Sequence, residues 1–258
     1  MKGIADYEFV RHLGSGNHGD FYLARRPERL PIEADLVAVK VLAGESTQDT
    51  FRRAARELAA FAAVRSPYLV AAYDAGQQDG LFFYSMEYLP GGSLADRRLP
   101  AAQAITAVAH AARAAAALHA AGIVHRDVKP GNILLHESGA KLSDLGLAQV
   151  FTEGITITGM GAVATVEFVD PALLLGEPAR PGNDVWSLAC TLHHQLAGTG
   201  VYGDLSGQDG LMLLRTVLAT TPAVAPDLPE PVAALIGECL TPQRPTAAEF
   251  ARRLEEIA

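Results

Sequence analysis

The chain has 258 residues, enough for one large domain or two joined lobes with a sizeable core. With 49% hydrophobic and 19% charged residues, its composition is that of a globular protein and excludes disorder, collagen-like repeats and coiled coil. Twenty-nine acidic against 21 basic residues leave a net charge of −8, so no sequence-independent grip on nucleic acid or an anionic membrane is expected, and any anionic ligand has to be met locally. Cys190 and Cys239 stand at no metal or redox spacing and read as core thiols in a reducing cytoplasm. Met1–Phe9 carries Asp6 and Glu8 and no apolar run of the secretory kind. The longest apolar stretch, Ala101–Ile123, is interrupted by Gln103, His110, Arg113 and His119 and does not match a membrane span. The expected location is cytoplasmic.

In chain order, Tyr7–Leu13 and Phe21–Ala24 read as strands on either side of a glycine-rich break, and Leu36–Val41 reads as a third after a proline-bounded excursion. From Gln48 to Val64, Phe51, Leu58, Phe61 and Val64 fall near helical spacing among Arg52, Arg53, Arg56 and Glu57, which predicts one amphipathic helix stopped ahead of Pro67. Leu69–Ala75 and Leu81–Tyr88 read as two more strands around the polar turn Gly76–Gly80. Beyond Pro90-Gly91-Gly92 the pattern turns helical: an alanine-rich helix from Ala101, one around Asp184–Ala197, one at Gly210–Ala219 and two near the end. This order predicts an α+β fold, a small β-rich lobe followed by a larger helical one.

Gly14-Ser15-Gly16-Asn17-His18-Gly19 has the pattern G-x-G-x-x-G. Alone it fits a plain hairpin, and the strand-like Phe21–Ala24 after it speaks against a dinucleotide-binding turn, which opens a helix. A glycine turn between strands does let backbone N–H groups approach phosphates closely. Lys40 ends the third strand in a chain with four lysines and 17 arginines. A compact ammonium reaches a phosphate or carboxylate where a guanidinium fork does not fit, although a solvated strand end reads the same way. Glu57 is its candidate partner.

The segment His125-Arg126-Asp127-Val128-Lys129-Pro130-Gly131-Asn132 packs bases, an acid and an amide between the apolar runs Ile123-Val124 and Ile133-Leu134-Leu135, an unusual setting for a surface loop. Asp144, 12 residues past Asn132, supplies a second carboxylate. An Asp carboxylate and an Asn carbonyl are the hard oxygen ligands Mg2+ takes when it shares its shell with phosphates, whereas Asp144 alone fits a simple turn.

Taken in order, these segments resemble the eukaryotic-like protein kinase family, in its bacterial Ser/Thr branch, over nearly the whole chain. The likeness rests on the glycine loop, the strand Val37-Ala38-Val39-Lys40, Glu57, His125–Asn132, Asp144-Leu145-Gly146, Asp184-Val185-Trp186-Ser187 and Arg244-Pro245-Thr246. It implies a bilobal kinase fold with an N-lobe at 1–86, a hinge at 87–92 and a C-lobe at 93–258. It implies ATP with Mg2+ or Mn2+, and transfer of the γ-phosphoryl group to Ser/Thr hydroxyls of proteins, including self-phosphorylation by a homodimer. The catalytic residues implied are Asp127, Lys129 and Thr165, and the metal ligands Asn132 and Asp144. The implied nucleotide contacts are Gly14, Gly16, Gly19, Phe21, Ala38, Lys40, Glu57, Met86, Glu87, Leu89 and Leu134. Bacterial relatives often continue into a membrane anchor, so the chain also fits the cytoplasmic part of a longer protein.

The sequence departs from the family pattern at several points. Phe21 stands where a valine usually covers adenine, Leu145 replaces the phenylalanine of D-F-G, and Asp170-Pro171-Ala172 stands where A-P-E is expected. The missing glutamate would leave Arg244 unpaired, so Asp170 or Glu177 is expected beside it. Gln149 takes the place of a frequent arginine, and no lysine or arginine lies between Asp144 and Arg180. Arg126 and arginines 52, 53 and 56 are therefore the expected partners of a phosphate on Thr156 or Thr158. Two alternatives share the pattern: a pseudokinase acting as a nucleotide-binding or scaffold module, and a small-molecule phosphotransferase, which lacks the Lys129-Pro130 and Asp184–Ser187 features.

Overall fold

The computed structural model describes residues 3–16, 19–43, 47–137, 139–144, 163–205 and 207–258. They divide into two compact units, the first built from 3–64 and 70–88 and the second from 65–69, 89–144 and 163–258. The first holds a six-stranded antiparallel sheet in the order β1-β2-β3-β4-β6-β5, made of β1 (Gly3–Ile4), β2 (Tyr7–Gly16), β3 (Gly19–Arg25), β4 (Leu36–Leu42), β5 (Ala72–Gln78) and β6 (Leu81–Glu87). Ile4, Tyr7, Leu30, Val37, Val39 and Phe83 form the apolar cluster of this unit. Helix α1 (Gln48–Ala63) buries Ala54, Leu58 and Phe61, and its first turn is capped by Thr47, whose hydroxyl accepts from the Thr50 N–H at 3.2 Å.

Several boundaries in this unit differ from the sequence expectation. β2 and β3 run on into the glycine segment, since glycine tolerates the irregular pairing there. β5 begins at Ala72 rather than Leu69, because Leu69 bridges Leu142 of the second unit's own β-hairpin. It ends at Gln78, and the turn is only Asp79 and Gly80, with φ of 51° and 78°, the two positive values a tight hairpin turn needs.

The second unit is mainly helical. The alanine-rich α2 (Ala101–Ala120) buries Ala104, Ile105, Val108, Ala111, Ala115 and Leu118, and its small side chains let neighbouring elements approach closely. It packs against the hairpin of β7 (Ile133–His136) and β8 (Gly139–Leu142) and against the helices Pro181–Ala197 and Ala247–Ile257. After the short α3 (Pro171–Leu174), α4 (Pro181–Ala197) is buried along most of its length. It begins three residues before the expected Asp184, because Pro181 suits a first turn and the Asn183 side chain caps the Arg180 N–H at 2.6 Å. Helices α5 (Gly210–Ala219), α6 (Glu230–Cys239) and α7 (Ala247–Ile257) complete the unit. No helix among the described residues is long and apolar enough to cross a membrane. Cys190 and Cys239 are buried free thiols, as expected.

Candidate active site

In the first unit the glycine segment is a bend between β2 and β3, its tip residues Asn17 and His18 lying outside the described residues. Gly19 has φ 147°, and a Cβ there would strike the Val41 carbonyl oxygen, so this position accepts only glycine. Phe21 stands opposite both Gly14 and Lys40 in the sheet, and the Lys40 ammonium lies 4.7 Å from its ring centroid, a cation–π contact. The substituted aromatic thus packs on the lysine itself. Ala38 and Met86 are buried partners across β4 and β6. Glu87 is tied to Ala71 twice, its N–H donating to the carbonyl at 2.8 Å and its carboxylate accepting from the N–H at 3.2 Å. Glu57, half-buried on α1, has no hydrogen-bond or ion-pair partner among the described residues.

The second unit brings Asp127, Lys129 and Asn132 together. Lys129 Nζ donates to both oxygens of the Asp127 carboxylate at 2.9 and 2.8 Å. Asn132 Nδ2 donates to the Asp127 carbonyl at 2.7 Å and to its Oδ2 at 2.9 Å. A carboxylate offers about four acceptor sites, so Asp127 retains capacity for one more donor. Because both bonds of Asn132 use its nitrogen, Oδ1 remains as the hard oxygen it offers. Ser143 joins Asn132 to the next strand end through its N–H and hydroxyl, both donating to the Asn132 carbonyl, at 2.8 and 3.1 Å. Asp144 follows, buried, with φ 60°. Left-handed backbone at a residue other than glycine is strained, and here it marks the second carboxylate of the site.

His125 is fully buried, and burial pushes its proton affinity down. The neutral ring is used at both nitrogens: Nε2 donates to the Ser143 carbonyl at 3.0 Å, and Nδ1 accepts from the Asp127 N–H at 3.4 Å. Asp184, 1% exposed at its side chain, accepts from the backbone N–H groups of His125 and Arg126, each at 2.9 Å, and so holds the loop just ahead of Asp127. Arg126 adopts φ 69°. Leu134 is half-buried on β7 and bridges Ser93, and Leu89 is half-buried. Thr165 lies in the 3-10 turn Val163–Phe168. Leu145, Gly146, Gln149, Thr156 and Thr158 lie outside the described residues.

The expected partner of Arg244 is Asp170, with Nη1 at 2.5 Å from Oδ2, while Glu177 is exposed. Asp170 also accepts from Asn183 Nδ2 at 2.8 Å and, as the N-cap of α3, from the Ala172 N–H at 3.0 Å. Arg244 in turn donates to the carbonyls of Thr241 at 2.8 Å and Gly182 at 3.0 Å and lies 5.1 Å from the Trp186 ring. An acid two positions before Ala172 therefore fills the place of the absent glutamate. Sequence reasoning missed Asn183, Ser143 and His119, whose partners are brought in from other segments.

Two units of this make-up, with an acid, a lysine and an amide on one partly buried loop, define a protein kinase fold. The chain belongs to the protein kinase domain family, whose model it matches over residues 7–253. It is 33% identical over 216 residues to the serine/threonine-protein kinase PknJ of Mycobacterium tuberculosis, covering 79% of this chain and 36% of that protein. It is 34% identical over 246 residues to PknF of the same organism, covering 88% of this chain and 50% of that protein. The chain thus spans about a third to a half of these relatives. Among solved structures, the Mycobacterium tuberculosis PknI kinase domain superposes with a TM-score of 0.70 at 25% identity, covering 100% of this chain and 99% of that one. A variant of that domain gives 0.74 at 26% identity, covering 99% and 98%.

Proposed function

We propose that the chain is a Ser/Thr protein kinase domain that transfers the γ-phosphoryl group of ATP to serine and threonine hydroxyls of proteins, its own included. The observation that carries this reading is the Asp127 carboxylate held between Lys129 and Asn132 on one loop. Asp127 orients the acceptor hydroxyl and takes its proton as that oxygen attacks the γ-phosphorus and the bond to ADP breaks. Lys129 offsets the charge on the moving phosphoryl group, which is where fixed electrostatics act most strongly. Lys40 holds the α- and β-phosphates, with Glu57, which makes no ion pair among the described residues, as its partner once nucleotide is bound, and Gly14, Gly16 and Gly19 cover them through backbone N–H groups. In the first unit Phe21, Ala38 and Met86 offer apolar surface to adenine and the Glu87 backbone meets its edge; in the second, Leu89 and Leu134 are nucleotide contacts in their own right. Thr165 braces the catalytic loop.

Asn132 and Asp144 fit a divalent ion, Mg2+ or Mn2+: the Asn132 amide nitrogen is spent on Asp127, which leaves its oxygen to ligate, and Asp144 offers a buried carboxylate. When bound, the ion neutralises phosphate charge. We assign 87–92 as the hinge between an N-lobe at 1–86 and a C-lobe at 93–258. The domain acts in the cytoplasm, and transient homodimers carry out self-phosphorylation at Thr156 or Thr158.

The test is incubation with ATP and Mg2+, with a generic protein substrate and with the enzyme alone, followed by mass spectrometry. The expected result is phosphate on serine or threonine of both. ATP binding without transfer would turn the reading to a pseudokinase, and transfer only to aminoglycosides or sugars would turn it to a small-molecule enzyme.

A further inference from the structure

The two strands that carry the glycine segment have a ladder broken at its root. His12 pairs with Tyr22 and Gly14 with Phe21, so Leu13 is the extra residue of a bulge. Beyond it come Gly14, Gly16 and Gly19, which lose the most backbone freedom on being fixed and bring no side chain to hold them in place. Side chains of the residues between supply the tie. Ser15 stands directly opposite Asp20, and its hydroxyl donates to Asp20 Oδ1 at 2.5 Å. His12 Nε2 is 3.3 Å from the same oxygen and 3.5 Å from Ser15 Oγ. A carboxylate oxygen only accepts, so Nε2 carries the proton and donates to Asp20. The Ser15 hydrogen bond holds the Asp20 carboxyl below the usual carboxylate range, so both donors meet a charged acceptor.

His12 is itself seated against Tyr22, ring edge to ring face with centroids 5.2 Å apart, and Tyr22 stacks on Phe9 at 4.1 Å. Successive side chains of a strand face opposite ways, so Asp20 and Tyr22 lie on the face turned away from Phe21, whose ring meets the Lys40 ammonium. The three polar groups thus join β2 to β3 across the face opposite the one proposed to meet nucleotide. We propose that His12, Ser15 and Asp20 are positioning residues: they form a side-chain clasp that fixes the glycine loop from its outer face and so sets the affinity for ATP. Its consequence for ATP rests on the kinase reading above, while its effect on the hairpin does not.

The test uses the full chain with Ser15→Ala, Asp20→Ala, both together, Ser15→Thr and His12→Phe. Thr keeps the hydroxyl, and Phe keeps a ring against Tyr22 without the donor. His12 and Ser15 are exposed and Asp20 is half-buried, so each substitution leaves the core untouched. Two quantities are read: steady-state kcat and KM for ATP, and amide hydrogen exchange of the segment 12–22. Removing an acid beside a loop that covers phosphates should, on charge alone, lower KM. The clasp predicts the opposite sign: KM rises at least about threefold in Ser15→Ala and Asp20→Ala and about twofold in His12→Phe, with kcat within about twofold. The segment exchanges about threefold faster in each. The double variant should be no worse than Asp20→Ala, because Ser15 then has no partner left to lose. Ser15→Thr should stay near wild type. An unchanged or lowered KM in Asp20→Ala overturns the proposal, as do unchanged exchange, additive effects in the double variant, or Ser15→Thr as impaired as Ser15→Ala. If the wild type transfers no phosphate, the kinase reading falls, and the exchange measurement still decides whether the clasp holds the hairpin.

Discussion

At the scale of single residues, the site divides into groups that meet the reactants and groups that hold them. Lys40→Met and Asp144→Asn are each expected to abolish phosphoryl transfer while the fold persists, since the proposed function puts both on ATP and its metal; transfer assays with circular dichroism check this, and substantial transfer by either variant contradicts the assignment. Asp170 belongs to the second kind. It is 4% exposed and joins Arg244, Asn183 and the start of α3, so Asp170→Ala leaves a guanidinium without its carboxylate. The expected loss is about 3–5 kcal/mol in urea unfolding; a loss below about 1 kcal/mol would mean that the Thr241 and Gly182 carbonyls suffice. Asp170 was legible in the sequence because the missing glutamate at Ala172 left Arg244 in need of an acid. The hydrogen bond from His119 Nε2 to Asp184 was not, since its partner stands 65 residues away and nothing in a local pattern reports that meeting.

At the scale of elements, the sheet of the first unit is stitched by Tyr7. Its hydroxyl lies 2.9 Å from Asp74 and 2.8 Å from Ser85, and Arg29 binds the same Asp74 at 2.6 Å and also Asp6. Desolvation of the buried ring pushes the Tyr7 hydroxyl up to about 12, so it remains a donor at any working pH. Tyr7→Phe strands the fully buried Ser85 hydroxyl and should lower stability by about 1–2 kcal/mol, read as a shift of the urea midpoint at constant slope. No shift would mean that the network closes without Tyr7. The elements most legible in the sequence were those with a clear period, such as α1, where Leu58 and Phe61 of the expected apolar stripe are buried. The edges were less so. The Asp79-Gly80 turn was hidden because Gly76, a strong turn signal, sits inside a strand where its missing Cβ makes room for the Phe83 ring. The start of α4 was hidden because a side-chain cap from Asn183 decides it.

At the scale of the molecule, buried histidines couple stability to pH. Burial lowers the proton affinity of His110, His125, His193 and His194 in the folded chain. His193 uses both nitrogens in its neutral form, with Nδ1 donating to the Thr199 carbonyl at 3.0 Å and Nε2 accepting from the Ala225 N–H at 2.9 Å. Below about pH 6.5 the unfolded chain takes up protons that the folded chain excludes, so the stabilisation is complete above that value and is lost as the pH falls toward the depressed folded-state values. The Tm should fall by at least about 2 °C between pH 7.5 and 5.5; a flat or rising Tm contradicts this. Carboxylates held low by partners, Asp6 by Arg29 and Glu255 by Arg113, extend the loss only below about pH 4.

The central claim, that this fold carries out phosphoryl transfer with Asp127 as the base, is tested most directly by comparing wild type with Asp127→Asn. ATP affinity is measured by calorimetry, and phosphate incorporated into serine and threonine by mass spectrometry. The predicted result is transfer by the wild type and none by the variant, with ATP affinity equal within about threefold, about 0.7 kcal/mol. Transfer by Asp127→Asn at the wild-type rate, or loss of ATP binding with turnover unchanged, would contradict it.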